Sequence, residues 1–201
     1  MALKKFFRKI FALAYDFFMS PVERTGLRKL RKKILRLVKG ENVLELGVGT
    51  GLNIPVYPDG VKIIGVEPKF EMLERAIKRA KIFKSNVSFI CASAEALPFE
   101  DEKFDTVFAT FVFCEVNNPE KGFSEILRVL KSGGRLILLE HVRPDGKFAS
   151  KIFDIANRFT SIFGENINRR TVELAQRSGI KIEKVENIYD GVVKLIVGMK
   201  P

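Results

Sequence analysis

The stretch Val43-Leu44-Glu45-Leu46-Gly47-Val48-Gly49-Thr50-Gly51 decides the fold class. It reads as a short apolar strand that runs into a glycine-rich turn and then a helix. Glycines let the backbone approach a ligand where any Cβ would clash. They fall at 47, 49 and 51, a G-x-G-x-G spacing that differs from the G-x-G-x-x-G of dinucleotide sites. Glu67 ends the next apolar run, and a carboxylate at that strand tip suits both hydroxyls of a ribose.

On either side of this stretch, short apolar runs alternate with helical patterns. Strands are predicted near 42–46, 61–67, 87–91, 104–110 and 134–141, with helices near 51–57, 69–83 and 119–131 and a helical region over 147–178. That alternation is the mark of a parallel sheet with crossover helices. Two last strands, near 180–188 and 192–199, meet at Asp190-Gly191, a hairpin signal. The expected fold is therefore α/β: a seven-stranded, mostly parallel sheet ending in an antiparallel hairpin, preceded by a helical extension.

Charge separates that extension from the rest. Residues 1–40 hold twelve Lys and Arg against Asp16 and Glu23, so they carry +10 of the chain's net +11. On a helix over 3–18, Phe6, Phe7, Ile10, Phe11, Phe17 and Phe18 share one face, while Lys4, Lys5, Arg8 and Lys9 take the other. Ser20-Pro21-Val22-Glu23 then reads as a capping box that opens a second helix running to Lys39 and stopping at Gly40. A basic arm on a near-neutral body points to an anionic partner, membrane headgroups or nucleic acid. The apolar run from Ile10 stops at Asp16 with no cleavage site after it, so it is read neither as a signal peptide nor as a membrane span. Cys91 and Cys114 lie in apolar surroundings without metal spacing and are expected to be buried, reduced thiols of a cytoplasmic protein.

Five segments in order make a resemblance specific: L-E-L-G-V-G-T-G at 44–51, the acid Glu67, A-S-A-E-A-L-P-F at 92–99, F-D-T-V at 104–107 and L-K-S-G-G-R-L at 130–136. Over about residues 40–142 the chain resembles the Rossmann-like class I methyltransferases that use S-adenosylmethionine (SAM). The resemblance implies that Gly47, Gly49 and Gly51 line the methionyl end of SAM and that Glu67 holds its ribose. Pro68 and Met72 would flank the adenine, with Ser93, Ala94 and Glu95 at its edge. Ser93 departs from the family pattern, where Asp is usual. Tyr15, Asn53 and Thr110 complete the cofactor-binding set that it implies, and no metal is expected. Residues 1–201 would form one methyltransferase domain, with 1–40 as a lid or membrane arm on a 41–201 core.

Three neighbouring groups share further features. Tyr15-Asp16, residues 49–57 and Cys114 through Pro119 resemble bacterial phosphatidylethanolamine N-methyltransferases. Glu140-His141-Val142 resembles membrane-associated thiol methyltransferases, and ubiquinone/menaquinone C-methyltransferases are similar as well. These likenesses imply a hydrophobic or amphiphilic acceptor. A phospholipid headgroup amine comes first; a quinone ring carbon or a small thiol are the alternatives. An anionic membrane surface contacted through residues 1–39 would place the protein peripherally at the inner face of the membrane. His141, the single histidine, ends the fifth strand and is the candidate base, with Glu115 second. Thr110-Phe111-Val112-Phe113-Cys114 lacks the Asp/Asn-Pro-Pro-aromatic motif of enzymes acting on base amines, which argues against an RNA-binding methyltransferase. A non-catalytic SAM-binding protein is the remaining alternative.

Overall fold

The structure is a computed structural model that describes residues 16–17, 20–21, 23–142, 166, 168–189 and 191–201. Seven strands form one sheet: β1 (Asn42–Leu46), β2 (Lys62–Val66), β3 (Val87–Ile90), β4 (Phe104–Thr110), β5 (Leu130–His141), β6 (Lys181–Ile188) and β7 (Val193–Met199). Their order is β3-β2-β1-β4-β5-β7-β6. The first five run parallel, and β7 is antiparallel to both β5 and β6, as the hairpin signal requires. The hairpin turns through Tyr189–Val192, where the Val192 amide donates to the Tyr189 carbonyl at 3.1 Å. Gly191 takes φ 82° there, and Asp190 lies outside the described residues.

Helices cover both faces, which is why the central strands are continuous apolar runs and do not alternate. On one face, Ile34 and Leu35 of α1 (Arg28–Leu35) pack over Val43, Phe108, Ile137 and Leu195. On the other, Phe123, Ile126 and Val129 of α3 (Pro119–Val129) and Ala175 of α4 (Thr171–Arg177) cover Leu44, Val107, Leu136 and Ile196. Helix α2 (Phe70–Phe83) buries Leu73, Ala76 and Ala80 against Val48 and Ile54.

Four local expectations change. The helix expected over 21–39 is broken: a π-helical turn at Glu23–Leu27 contains Gly26 at φ 167°, ψ −31°, outside helical values, and α1 follows. Glu23, read as the closing residue of a capping box, instead accepts from Arg31 Nε at 2.9 Å, a stronger charge-assisted bond. The helix also ends at Leu35, because Thr106 captures the chain at Lys39, accepting from its amide at 3.1 Å and donating to its carbonyl at 2.7 Å. The helix expected over 51–57 shrinks to a single 3-10 turn, Ile54–Val56. Tyr57 stands before Pro58 and takes φ −59°, ψ 141°, the extended conformation that a following proline imposes. Strand β5 starts four residues early, at Leu130, and its register against β4 shifts between Phe104, opposite Leu130, and Thr106, opposite Arg135. Finally, Cys91 is exposed while Cys114 is buried; β3 is an edge strand, and the residue beyond its end has no neighbouring strand to cover it. The helix placed on 3–18 falls almost wholly outside the described residues, as does most of 147–178.

Candidate functional site

The strand order reverses at β1, which has β2 on one side and β4 on the other. In open α/β sheets the crevice at such a point, beyond the C-terminal strand ends, is where ligands bind. A cavity of about 300 Å³ lies there, walled by Gly47–Thr50 after β1, Glu67–Lys69 after β2, Ala92–Glu95 after β3 and Thr110–Val112 after β4.

The glycine-rich turn meets the steric demand placed on it. Gly49 has φ 56°, and a Cβ added to it would meet nothing nearer than the Gly47 carbonyl at 3.9 Å, so the space in front of it is left to a ligand. Gly51 does different work. It does not line the cavity; a Cβ there would come within 3.1 Å of Ala76 Cα, so its bareness lets α2 pack against the turn.

Glu67 is 6% exposed at the tip of β2. One carboxylate oxygen accepts the Gly49 amide at 3.1 Å and the other the Lys69 amide at 2.9 Å. Burial pushes its pKa above the usual carboxylate value against those two bonds. Each oxygen keeps a second lone pair, enough for two vicinal hydroxyls. Pro68, Met72, Ser93, Ala94 and Glu95 line the adjoining wall as expected. Ser93 Oγ accepts the Glu95 amide at 3.2 Å, and Glu95 in turn accepts the amides of Asn117 and Asn118 at 2.9 and 3.1 Å. Glu95 therefore fixes the loop entering α3, and brings Asn117 into the wall.

At the glycine end the wall is backed by a buried polar network that sequence reasoning found only in part. Asn53 and Thr110 belong to it and line the cavity. Asn53 Nδ2 donates to Glu45 at 2.7 Å and to Thr110 Oγ1 at 3.0 Å. Arg31 Nη1 donates to Asn53 Oδ1 at 2.9 Å and to Thr110 Oγ1 at 3.0 Å. Tyr57 donates to the second oxygen of Glu45. Burial raises the Glu45 pKa to about 7, although Tyr57, Asn53 and Arg31 all oppose the shift. The available signal for Arg31 was its position: it lies four residues from both Leu27 and Leu35, on the buried stripe of an otherwise basic helix.

A second clamp ties the N-terminal segment to the turn. Asp16 accepts from Thr50 Oγ1 at 2.6 Å, from Arg75 Nε at 3.1 Å and from Arg79 Nη2 at 3.0 Å. Arg79 also donates to the Thr50 carbonyl at 2.6 Å. Tyr15, expected beside the cofactor, lies outside the described residues.

The two candidate catalytic side chains sit differently. Glu115 lines the cavity and pairs with Lys69. His141 does not line it; its ring packs 4.6 Å from that of Phe111, which does. Burial lowers the His141 pKa. Its neighbour Glu140 was not singled out for a role of its own. It is fully buried, accepts the amides of Val112 at 3.0 Å and Phe113 at 3.2 Å, and burial raises its pKa to about 8. Arg169 braces the same loop by donating to the Val116 carbonyl at 2.6 Å. Among the described residues no cluster of His, Cys, Asp or Glu could hold a metal ion.

The family model described as "Methyltransferase domain" matches residues 44–138, which contain the turn, Glu67 and the wall through β4. The phosphatidylethanolamine N-methyltransferase of Cereibacter sphaeroides is 33% identical over 154 residues, spanning 75% of this chain and 74% of that protein. The chain belongs to the class I SAM-dependent methyltransferases. A demethylmenaquinone methyltransferase of Renibacterium salmoninarum is 31% identical over 75% of this chain and 58% of its own length. Among solved structures, a SAM-dependent methyltransferase of Thermotoga maritima, titled a "possible histamine N-methyltransferase", superimposes with a TM-score of 0.72. It is 24% identical over 96% of this chain and 97% of that one, and speaks for the fold. SAM is accordingly the cofactor, and the open face of Gly49, the two lone pairs left on Glu67 and the cavity between them fit it.

Proposed function

We propose that this enzyme methylates the headgroup amine of a phosphatidylethanolamine-type lipid at an anionic membrane surface. The likeness to the Cereibacter phosphatidylethanolamine enzyme over three quarters of both chains carries this reading. The exposed side of α1 and its C-cap support it: Arg28, Lys29, Lys32, Lys33 and Arg36 face solvent, and among the described residues only Lys33 of these has an acidic partner, Glu186. Each such cation near an anionic leaflet contributes on the order of 1 kcal/mol. No helix among the described residues is long and apolar enough to cross a membrane, so the contact proposed is peripheral, at the inner face, through residues 1–39. Residues 1–40 then act as an arm on a 41–201 core.

SAM supplies a methyl group already activated on a sulfonium, and the chain's residues bind, orient and exclude water. Gly47, Gly49, Asn53 and Thr110 hold the methionyl end, with Gly51 supporting the turn from behind. Glu67 takes the ribose hydroxyls, Pro68 and Met72 flank the adenine, and Ser93, Ala94 and Glu95 meet its edge. His141, kept neutral by burial, is the first candidate base for the proton that an ammonium acceptor must lose; it packs on Phe111 of the wall and would have to reach the acceptor's proton directly or through one water. Glu115 at the cavity mouth is the second candidate, able to attract a cationic amine.

The Renibacterium relative favours one other reading, methylation of a quinone ring carbon. Labelled-methyl transfer from SAM to vesicles of phosphatidylethanolamine with phosphatidylglycerol, to a demethylated quinone in the same vesicles, and to a small thiol separates these. Label in the phospholipid headgroup, weakened by salt, is the expected result. Label in the quinone or the thiol alone overturns the phospholipid assignment.

A further inference from the structure

The two faces of the sheet present different charge to solvent. Helices α1 and α2 lie on the same one. Val87, which packs under α2, is in register with Ile63, and Ile63 with Val43 under α1, so the three side chains point to one side. The exposed charges of these helices are Arg28, Lys29, Lys32 and Lys33 on α1 and Lys78 and Lys81 on α2, with no exposed acid on either. The other face is nearly balanced: α3 exposes Glu120 and Lys121, and α4 exposes Arg177.

Two large apolar side chains stand in solvent on the basic face. Ile82 is 76% exposed and Phe83 49%. At about 100° per residue, Ile82 points away from the side of α2 that buries Leu73. Lys78 lies one turn before it, with Lys81 just before and Lys84 just after, and none of the three has an acidic partner among the described residues. A single exposed isoleucine is ordinary. An exposed apolar pair ringed by unpaired lysines has the composition of a helix that lies in a membrane interface.

The patch is continuous with the N-terminal segment. Arg75 and Arg79, on the adjoining stripe of α2, both bond Asp16, and the next residue, Phe17, is 76% exposed. Ile82 stands three residues beyond Arg79, roughly 5 Å along the helix axis. At its other end α2 begins at the cavity, which Lys69 and Met72 line, and Phe70 is exposed beside them.

We propose that α2 is the second half of the membrane contact. Ile82 and Phe83 enter the interfacial layer of an anionic bilayer, and Lys78, Lys81 and Lys84 meet its phosphates. This contact rests on the peripheral membrane reading of residues 1–39 and carries it from the arm into the 41–201 core. With α1 and α2 both against the bilayer, the cavity end of α2 stands beside the lipid headgroups. The apolar pair selects lipid over nucleic acid, whose phosphates cations alone would meet.

The chain has no tryptophan, so Ile82→Trp makes a single-tryptophan reporter. With vesicles of phosphatidylethanolamine and phosphatidylglycerol its emission should move to shorter wavelength, and lipids brominated in the acyl chains should quench it. Ser124→Trp, on the exposed side of α3, should show neither effect. Ile82→Asp should weaken co-sedimentation with the same vesicles about tenfold, the loss of one apolar anchor. Its calorimetric affinity for S-adenosylhomocysteine should match the wild type. If the wild type sediments but Ile82→Trp shows no shift and Ile82→Asp no loss, α2 has no such role and the arm is the whole contact. A wild type that fails to sediment at low salt overturns the membrane reading itself, and α2 docking with it. A shift that grows with protein concentration in the absence of vesicles assigns the face to a second copy of the chain and overturns lipid docking as well.

Discussion

The two halves of the cavity wall are built on different principles. Around the loops after β2, β3 and β4, single carboxylates each hold two backbone amides: Glu67 those of Gly49 and Lys69, Glu95 those of Asn117 and Asn118, Glu140 those of Val112 and Phe113. Behind the glycine-rich turn, side chains bond to side chains: Glu23 to Arg31, Arg31 to Asn53 and Thr110, Asn53 to Glu45, Glu45 to Tyr57. A carboxylate on two amides fixes the shape of one loop. The side-chain network instead spans a helix, two strands and a turn, so it fixes how separate elements sit together. Loop shape and the placement of whole elements are thus under separate control.

Glu140 offers the largest effect that distinguishes the two. Its pKa rises from 4.5 to about 8 on folding because it is buried. A carboxyl whose folded pKa is raised contributes stability below the unfolded value and loses it as pH climbs to the folded one. From pH 5 to pH 8 the unfolded chain gives up this proton while the native state keeps it, so stability falls by a few kcal/mol, on the order of 3. Glu140→Gln stays neutral and still accepts an amide through its side-chain oxygen. Urea midpoints at pH 5.5 and 8 should therefore differ clearly in the wild type and by a smaller margin in the variant, where Glu45 and Glu67, also raised by burial, still lose stability over the same window. A variant with the wild-type slope would mean that Glu140 holds its loop in ionised form.

Glu67→Ala comes next and acts on binding. If Glu67 takes the ribose as proposed, the substitution removes two acceptors for its hydroxyls and frees the Gly49 amide, so SAM affinity should drop about 100-fold, the sum of two modest charge-assisted bonds. Calorimetric titration reads this directly, and a loss of less than about threefold would take the ribose away from Glu67.

The third variant breaks the network. Asn53→Ala leaves Glu45 and Arg31 each short of a buried partner, and should cost about 2 kcal/mol of unfolding free energy. Its mark is non-additivity. Combined with Tyr57→Phe, it should cost less than the two single losses together, because both serve Glu45. Strict additivity in that cycle would dissolve the network into independent bonds.

The same contrast explains what was legible in the sequence. Strand positions, sheet class, the closing hairpin and the family follow from apolar periodicity and from glycine and acid spacing, which are local along the chain. Glu67 and Asn53 could be reached because they sit close to a recognisable turn. Arg31, Glu45 and Tyr57 were missed because their partners lie on other elements: Arg31 bonds Thr110 seventy-nine positions away. Glu140 was overlooked for a different reason. A carboxylate that bonds backbone amides has no side-chain counterpart to pair it with in the sequence. Gly26, outside helical values, interrupts a helix that periodicity and capping both favoured, and Glu23 just before it pairs with Arg31 instead of closing a capping box. Gly51 was correctly placed in the turn but serves α2 packing, a difference visible only once Ala76 is seen behind it.

The smallest expected effect lies at the cavity mouth, where neither principle operates. Lys69 and Glu115 form an ion pair whose side chains remain 45% and 40% exposed. Water screens such a pair, and exposed pairs contribute at most about 1 kcal/mol. Lys69→Met should therefore change the unfolding free energy read from urea titration by less than about 0.5 kcal/mol, and less still at high salt. It frees Glu115, however, and so makes the mouth more negative by one charge. If Glu115 attracts a cationic headgroup amine, the variant's KM for phosphatidylethanolamine vesicles should fall about twofold at low salt while kcat holds, since electrostatic steering acts on encounter. An unchanged KM would make the pair a surface contact only, and would leave acceptor recognition to the buried halves of the wall.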